Sequence, residues 1–333
     1  MKRNSNIEML RIISMLLIIT LHMTQCDKRF NSLLSNGPIT FNTYSIIVLK
    51  LLANIGVSLF ALITGFYGVK FSSKKLFYII HKTWFYSLLI AFVFLILGDI
   101  NIINLAHYFI PLNSGHWYIT AYVFLLLLMP LIKNNIDNMY QNHLKRWLMI
   151  TGILLYAFRW LGLDIGTNII LLIFLYCLGR YIAKLDIEKL KRIKYAFLSL
   201  SIFSLLVISL LITILHSELL LKLFGSNFSP LTLCLSTSIF IFFISKKYYT
   251  NFIINKLATA ALSSYIISET LPMKHYLLYI LNKYNYNVVT IVCFSICIYI
   301  VCFIIDIIFP LETKLSIGIY NKFKNILKSN KYE

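Results

Sequence analysis

Apolar runs long enough to cross a bilayer recur along this chain from Ile12 to the neighbourhood of Pro310, and no soluble globular fold accommodates that pattern. Of 333 residues, 59% are hydrophobic and 13% are charged, with a mean hydropathy of +0.79, far from the balance of a water-soluble domain. The runs predict an all-α, polytopic membrane bundle of about ten helices, at 7–24, 43–69, 77–97, 117–132, 147–161, 167–182, 195–215, 229–245, 257–280 and 288–309. The fifth, sixth and eighth are short for a full crossing and read as tilted or partly re-entrant. One membrane domain then fills 1–311, and a basic cytoplasmic tail occupies 312–333.

The formal net charge is +19, from 31 Lys and Arg against 12 Asp and Glu. Taken alone, that excess suits nucleic acid, but its distribution excludes such a partner. About three quarters of the basic residues fall at the N-terminus, in alternate loops and in the tail, so the positive-inside rule predicts both termini in the cytoplasm. The opposite connections are short and include no appended domain. The first run carries Arg11 and His22 and lacks a small-x-small cleavage site, so it reads as a retained helix, not a signal peptide. The six cysteines have no metal-ligand spacing and read as membrane packing groups, with no metal site expected.

Ionisable side chains inside a membrane helix are costly, so the string NIEMLRIISMLLIITLHM, residues 6–23, is the most informative stretch. Glu8 and Arg11 are three apart and can pair on one face. His22 follows Arg11 by eleven residues, about three turns and about 16 Å along the axis, so the two face nearly the same side. A guanidinium can hold a phosphate at one end of a long donor, and an imidazole can take a hydroxyl proton at the other. The plain alternative is a snorkelling arginine and an interfacial histidine.

The same string resembles the opening of the acyltransferase 3 family, whose first helix carries Arg or Lys, ten residues, then His, as Arg11 and His22 do here; Glu8 matches an acidic residue often found three before. Further resemblances follow in order: GVSLFALITGFYG at 56–68, GHWYITAYVFLLLLMPLI at 115–132 and YCLGRYIAKL at 176–185. The resemblance implies a multi-pass enzyme of the cell membrane, of bacterial plasma-membrane type. It would transfer an acyl group, most simply acetyl from cytoplasmic acetyl-CoA, to a hydroxyl of a cell-surface or lipid-linked polysaccharide. No cofactor is then held permanently, and the partners are the bilayer, acetyl-CoA and a glycan acceptor. Arg11 would orient the donor, and His22 would act as general base or as a transient acyl carrier.

Two departures from the family pattern stand out. In LSSYIISET, residues 262–270, Ser268 stands where the family often has His, leaving Glu269 beside it as a candidate acid. The third helix lacks an Arg-rich start followed by Pro, offering His81, Lys82 and Trp84; Lys74, Lys75 and Lys82 still supply charge that could meet a nucleotide phosphate. His116, Trp117 and Tyr118 read either as an interfacial aromatic belt or as a carbohydrate-stacking acceptor site. Asp306 reads as a carboxylate with a local partner, His107 and His275 as loop or interface residues, and Thr64 as a packing hydroxyl. The competing function is a transporter or flippase of lipid-linked glycan, with Arg11 and His22 lining an anion path; a glycan polymerase fits less well because the outer loops are short. Oligomeric state, the glycan and its modified hydroxyl stay open.

Overall fold

A computed structural model describes residues 3–25, 28–36, 38–110, 115–161 and 167–309, together with 318 and 321. Most of the expected tail at 312–333 and the connection at 162–166 therefore lie outside the described residues, as does Cys26. The described chain is helical, with no strand among the described residues. Its helices are α1 (Ser5–Gln25), α2 (Lys28–Asn36), α3 (Phe41–Ala53), α4 (Ile55–Tyr67), α5 (Ser73–Ile96), α6 (Ile102–His107), α7 (Trp117–Asn138) and α8 (Gln141–Trp160). They continue with α9 (Thr167–Ala183), α10 (Ile187–Leu215), α11 (Glu218–Phe224), α12 (Pro230–Ile244), α13 (Phe252–Leu257), α14 (Ala261–Glu269), α15 (Leu271–Leu281) and α16 (Val288–Ile308).

Among the described residues, six stretches are long and apolar enough to cross a membrane: Ser5–Thr24, Phe41–Tyr67, Ser73–Ile96, Trp117–Asn138, Ile187–Leu215 and Val288–Ile308. Asn168–Ala183 and Pro230–Ile244 are shorter apolar helices among them. The surface has the polarity expected of a bilayer solvent. On α16, Ile296, Ile300, Ile304 and Ile307 point outward at helical spacing while Ser295, Tyr299 and Cys302 are buried. A stripe of isoleucine facing outward would be an aggregation patch in water and is an ordinary lipid contact here.

The expected ninth run, 257–280, is not one helix. It divides into α13, a 3-10 turn at Ala258–Ala260, α14 and α15, with the main break at Thr270, whose ψ is 124°. Pro272 supplies the reason: in a continuous helix its ring would clash with the Ser268 carbonyl and its missing N–H would leave that carbonyl without a partner. The Thr270 hydroxyl instead donates to the Ile266 carbonyl at 2.7 Å, and Pro272 takes the second position of a new helix. The second run also divides, at Asn54, but that residue keeps helical dihedrals, so α3 and α4 continue one another. Lys50 within it sets its ammonium 3.6 Å from the Phe30 ring centroid, a favourable place for a cation at membrane depth.

The helix α4 is the hub, packing on α1, α9 and α12. Its contact with α9 is so close that a Cβ on Gly65 would sit 2.3 Å from the Tyr176 carbonyl oxygen, and one on Gly179 would sit 2.6 Å from the Leu62 carbonyl oxygen. Small residues let helix backbones approach in this way, which matters where lipid removes the hydrophobic drive for helix association. Arg180 fixes the register by donating to the Phe66 carbonyl at 3.1 Å and to Asp137 at 2.8 Å. Gly56 brings α4 equally close to α1, where a Cβ would meet the Ser14 carbonyl oxygen at 2.7 Å. Gly65→Ala and Gly179→Ala are each expected to cost about 1–3 kcal/mol through overpacking, read as a lower temperature of heat-induced loss of folded protein in detergent.

Candidate active site

Helix α1 runs through the centre of the bundle against α4, α14 and α16 and carries the two residues that the sequence singles out. Near its start, Arg11 donates to Glu8 at 3.0 Å, and Glu8 is buried. Arg11 also faces a cavity of about 670 Å³ that opens at the bundle end holding the α1 N-terminus. Arg3, Arg11 and Lys75 give this cavity a basic mouth, Met15, Ile18, Phe60 and Ile63 give it apolar walls, and Tyr118 and Tyr265 line it too. Lys75 donates to the Tyr122 hydroxyl at 2.9 Å.

Beyond Tyr265 lies a buried polar cluster. His22 Nδ1 is 2.5 Å from Glu269 Oε2, an ion-pair approach not in hydrogen-bond alignment, and the His22 ring centroid is 6.4 Å from that of Tyr265. The other oxygen of Glu269 accepts from Lys274 at 2.6 Å. This arrangement depends on the break at Thr270: Glu269 ends α14, Lys274 sits in the first turns of α15, and the change of helix direction lets an ammonium five residues away fold back onto the carboxylate. His116, which is 0% exposed, also neighbours Tyr265, with ring centroids 5.9 Å apart. Its Nε2 is 3.0 Å from the Ser87 hydroxyl, and its Nδ1 has no partner among the described residues.

A second cavity, of about 950 Å³, opens at the opposite end of α5. Asp99, Asn104, His107, His275, Tyr108 and Tyr276 are among its lining residues, and Leu271, also in its wall, is the side chain nearest to Gly115, the neighbour of His116. The two cavities thus approach the histidine cluster from opposite faces of the bundle.

A family model for the acyltransferase domain matches residues 4–307. The chain belongs to the acyltransferase 3 family. No curated protein and no solved structure matches it. It is thus a membrane acyltransferase. The cluster around His22 brings an imidazole, a carboxylate, a phenol and a second imidazole close together.

The other residues marked in the sequence are placed as follows. Of the three basic residues at the start of the third run, only Lys75 stands at the cavity mouth. Lys74 is exposed and is not a lining residue. Lys82 lines the wall, but its side chain is 3% exposed and engaged by Asp306 at 2.8 Å, with Tyr78 and Tyr86 completing the group. Asp306 therefore has the local partner expected of it. Of the residues read together as an outer aromatic cluster, His116 is wholly buried, Tyr118 lines the first cavity, and Trp117 is half-buried with its ring edge-on to Tyr118 at 5.8 Å. Ser268 is buried and contributes no imidazole, and His116 is the second histidine near His22.

Sequence reading missed Lys274, Tyr265 and Ser87 as members of the site. Tyr265 carried a usable signal, since it lies four residues before Glu269 and so shares its helical face. Lys274 and Ser87 carried none, because a chain break and a distant helix bring them in. The Lys82–Asp306 pair is a buried ion pair whose loss on one side strands the other charge. Lys82→Met is expected to destabilise the protein by about 3–5 kcal/mol, and Lys82→Met with Asp306→Asn to regain most of that loss, measured by survival on heating in detergent.

Proposed function

We propose that this enzyme moves an acetyl group from acetyl-CoA to a hydroxyl of a cell-surface or lipid-linked polysaccharide in a bacterial plasma membrane. In this reading the chain crosses the bilayer about ten times, with both termini and the donor in the cytoplasm. The observation that carries it is the cavity lined by Arg3, Arg11 and Lys75 and by apolar side chains, which reaches Tyr265, the ring neighbour of His22. Acetyl-CoA has the same polarity profile: phosphates at one end, a slender arm, and an uncharged thioester at the other. Arg11, Arg3 and Lys75 meet the phosphates, with charge-assisted hydrogen bonds as the attraction. Met15, Ile18 and Ile63 flank the arm, and the thioester arrives beside Tyr265.

Glu269 faces His22 Nδ1, which leaves Nε2 as the ring nitrogen for chemistry. Nε2 takes the proton of the acceptor hydroxyl, whose oxygen attacks the carbonyl carbon; the departing thiolate recovers that proton. An alternative order has Nε2 attack first and carry the acetyl group to the acceptor. In both, Glu269 orients the imidazole and Lys274 positions Glu269 through its hydrogen bond. The acceptor enters through the second cavity, where Tyr108 and Tyr276 offer faces for sugar rings, and Asp99, His107 and His275 offer hydrogen bonds to hydroxyls. Acceptor contact thereby moves from His116, Trp117 and Tyr118 to this opposite vestibule, with His116 behind it.

In a strain lacking the gene, O-acetyl on the surface polysaccharide is expected to disappear and to return with the wild-type gene, but not with His22→Ala or Arg11→Ala variants that reach the membrane. Unchanged acetylation with missing or shortened polymer would place the protein in transport or polymerisation instead. With the purified enzyme, Lys75→Ala is expected to raise KM for acetyl-CoA about tenfold, the size of one charge-assisted hydrogen bond, while Lys74→Ala leaves KM unchanged. Equal effects at the two lysines would mean that the mouth attracts the donor only by diffuse charge.

A further inference from the structure

We infer that Tyr265 is the catalytic hydrogen-bond donor to the thioester carbonyl oxygen, holding the negative charge that gathers there during transfer; this rests on the donor-cavity reading above. Tyr265 lies on α14, lines the cavity and is 4% exposed. Its ring neighbours both buried histidines, 6.4 Å from His22 and 5.9 Å from His116 between centroids. No other tyrosine near His22 shares this position: Tyr118, 6.0 Å away between rings, stacks instead on Tyr122.

The hydrogen bonding of the phenol is half complete. Its oxygen accepts from the Tyr118 backbone N–H at 3.4 Å. Tyr118 is the second residue of α7, so this N–H is one of the first-turn donors that a helix cannot satisfy internally. The proton of Tyr265 itself has no acceptor among the described residues. A buried hydroxyl that gives no hydrogen bond loses stability relative to water, unless a ligand oxygen takes it. The N–H received at the oxygen polarises the O–H and strengthens it as a donor. The positive end of the α7 dipole lies at the same place and favours negative charge beside it.

The step balances without any further reactant. As the acceptor oxygen, relieved of its proton by His22 Nε2, bonds to the carbonyl carbon, the carbonyl π pair moves onto its oxygen. Tyr265 donates to that oxyanion. The pair then returns, the C–S bond breaks, the thiolate takes the proton from His22, and Tyr265 is unchanged. If Nε2 attacks first, the same carbonyl oxygen carries the charge and the same donor serves it. A donor placed in advance at such an oxygen acts most strongly where water is excluded, as it is beside this buried phenol.

The test compares wild type, Tyr265→Phe and His22→Ala as full-length protein in nanodiscs, with acetyl-CoA and polysaccharide extracted from the deletion strain. Binding of S-ethyl-CoA, a thioether without the carbonyl, is measured alongside. Tyr265→Phe is expected to lower kcat about 10²–10³-fold, with KM for acetyl-CoA and affinity for S-ethyl-CoA within twofold of wild type. A Tyr265→Phe kcat within threefold of wild type, beside an inactive His22→Ala, would overturn this inference alone. Loss of S-ethyl-CoA binding together with kcat would mark a packing role and overturn it as well. A fully active His22→Ala would remove the reading on which it rests.

Discussion

The buried carboxylate of Glu269 is the constraint around which the candidate site is organised. A buried carboxylate is costly unless polar partners surround it. Lys274 and His22 meet it from two other helices, at 2.6 Å and 2.5 Å. That requirement explains several features at once. Helix α1 must pass through the middle of the bundle to deliver His22, and the run after Leu257 cannot be straight, because Glu269 and Lys274 would then lie on different faces five residues apart. Pro272 creates the break that resolves this. The residue that looks like a helix interruption is thus part of the electrostatics of the site.

A second level of organisation comes from backbone approach. Gly65 and Gly179 let α4 and α9 touch through their main chains, and Gly56 does the same for α4 and α1. These contacts explain two stretches that stood out in the sequence only as weak family resemblances. The segment at 56–68 and the segment at 176–185 are the two halves of one interface, closed by Arg180 on the Phe66 carbonyl and on Asp137. With α4 fixed, the wall of the first cavity formed by Phe60, Ile63 and Thr64 is fixed relative to Arg11, Met15 and Ile18 on α1. Thr64 itself donates to the Phe60 carbonyl of its own helix at 3.0 Å and lines that cavity.

Charged groups along the bundle differ in their partners. Lys82 and Asp306 satisfy one another, and Lys184 caps the end of α7 by donating to the Ile136, Asp137 and Met139 carbonyls. Arg3, Arg11 and Lys75 line the first cavity, Arg11 while paired with Glu8 and Lys75 while donating to the Tyr122 hydroxyl. Basic residues counted in the sequence look alike, and only their partners show which are structural.

The sequence by itself determined the membrane class and the helical content, and it singled out Arg11 and His22 as candidates. Each of these follows from local quantities: run length against bilayer thickness, backbone bonds that close within a segment, and a spacing of eleven residues on one helix. It also marked Glu269, though not its partner. The break of the ninth run at Thr270 likewise has a local cause, in Pro272, that run length alone does not register. Tertiary structure alone decided that Glu269 meets His22 and Lys274, that His116 is buried near His22 and not displayed at the surface, and that Lys75 and not Lys74 faces the cavity. These outcomes depend on how helices far apart in the chain cross and on which face each turns inward, and an apolar run in lipid leaves its facing direction to be set by packing against its neighbours.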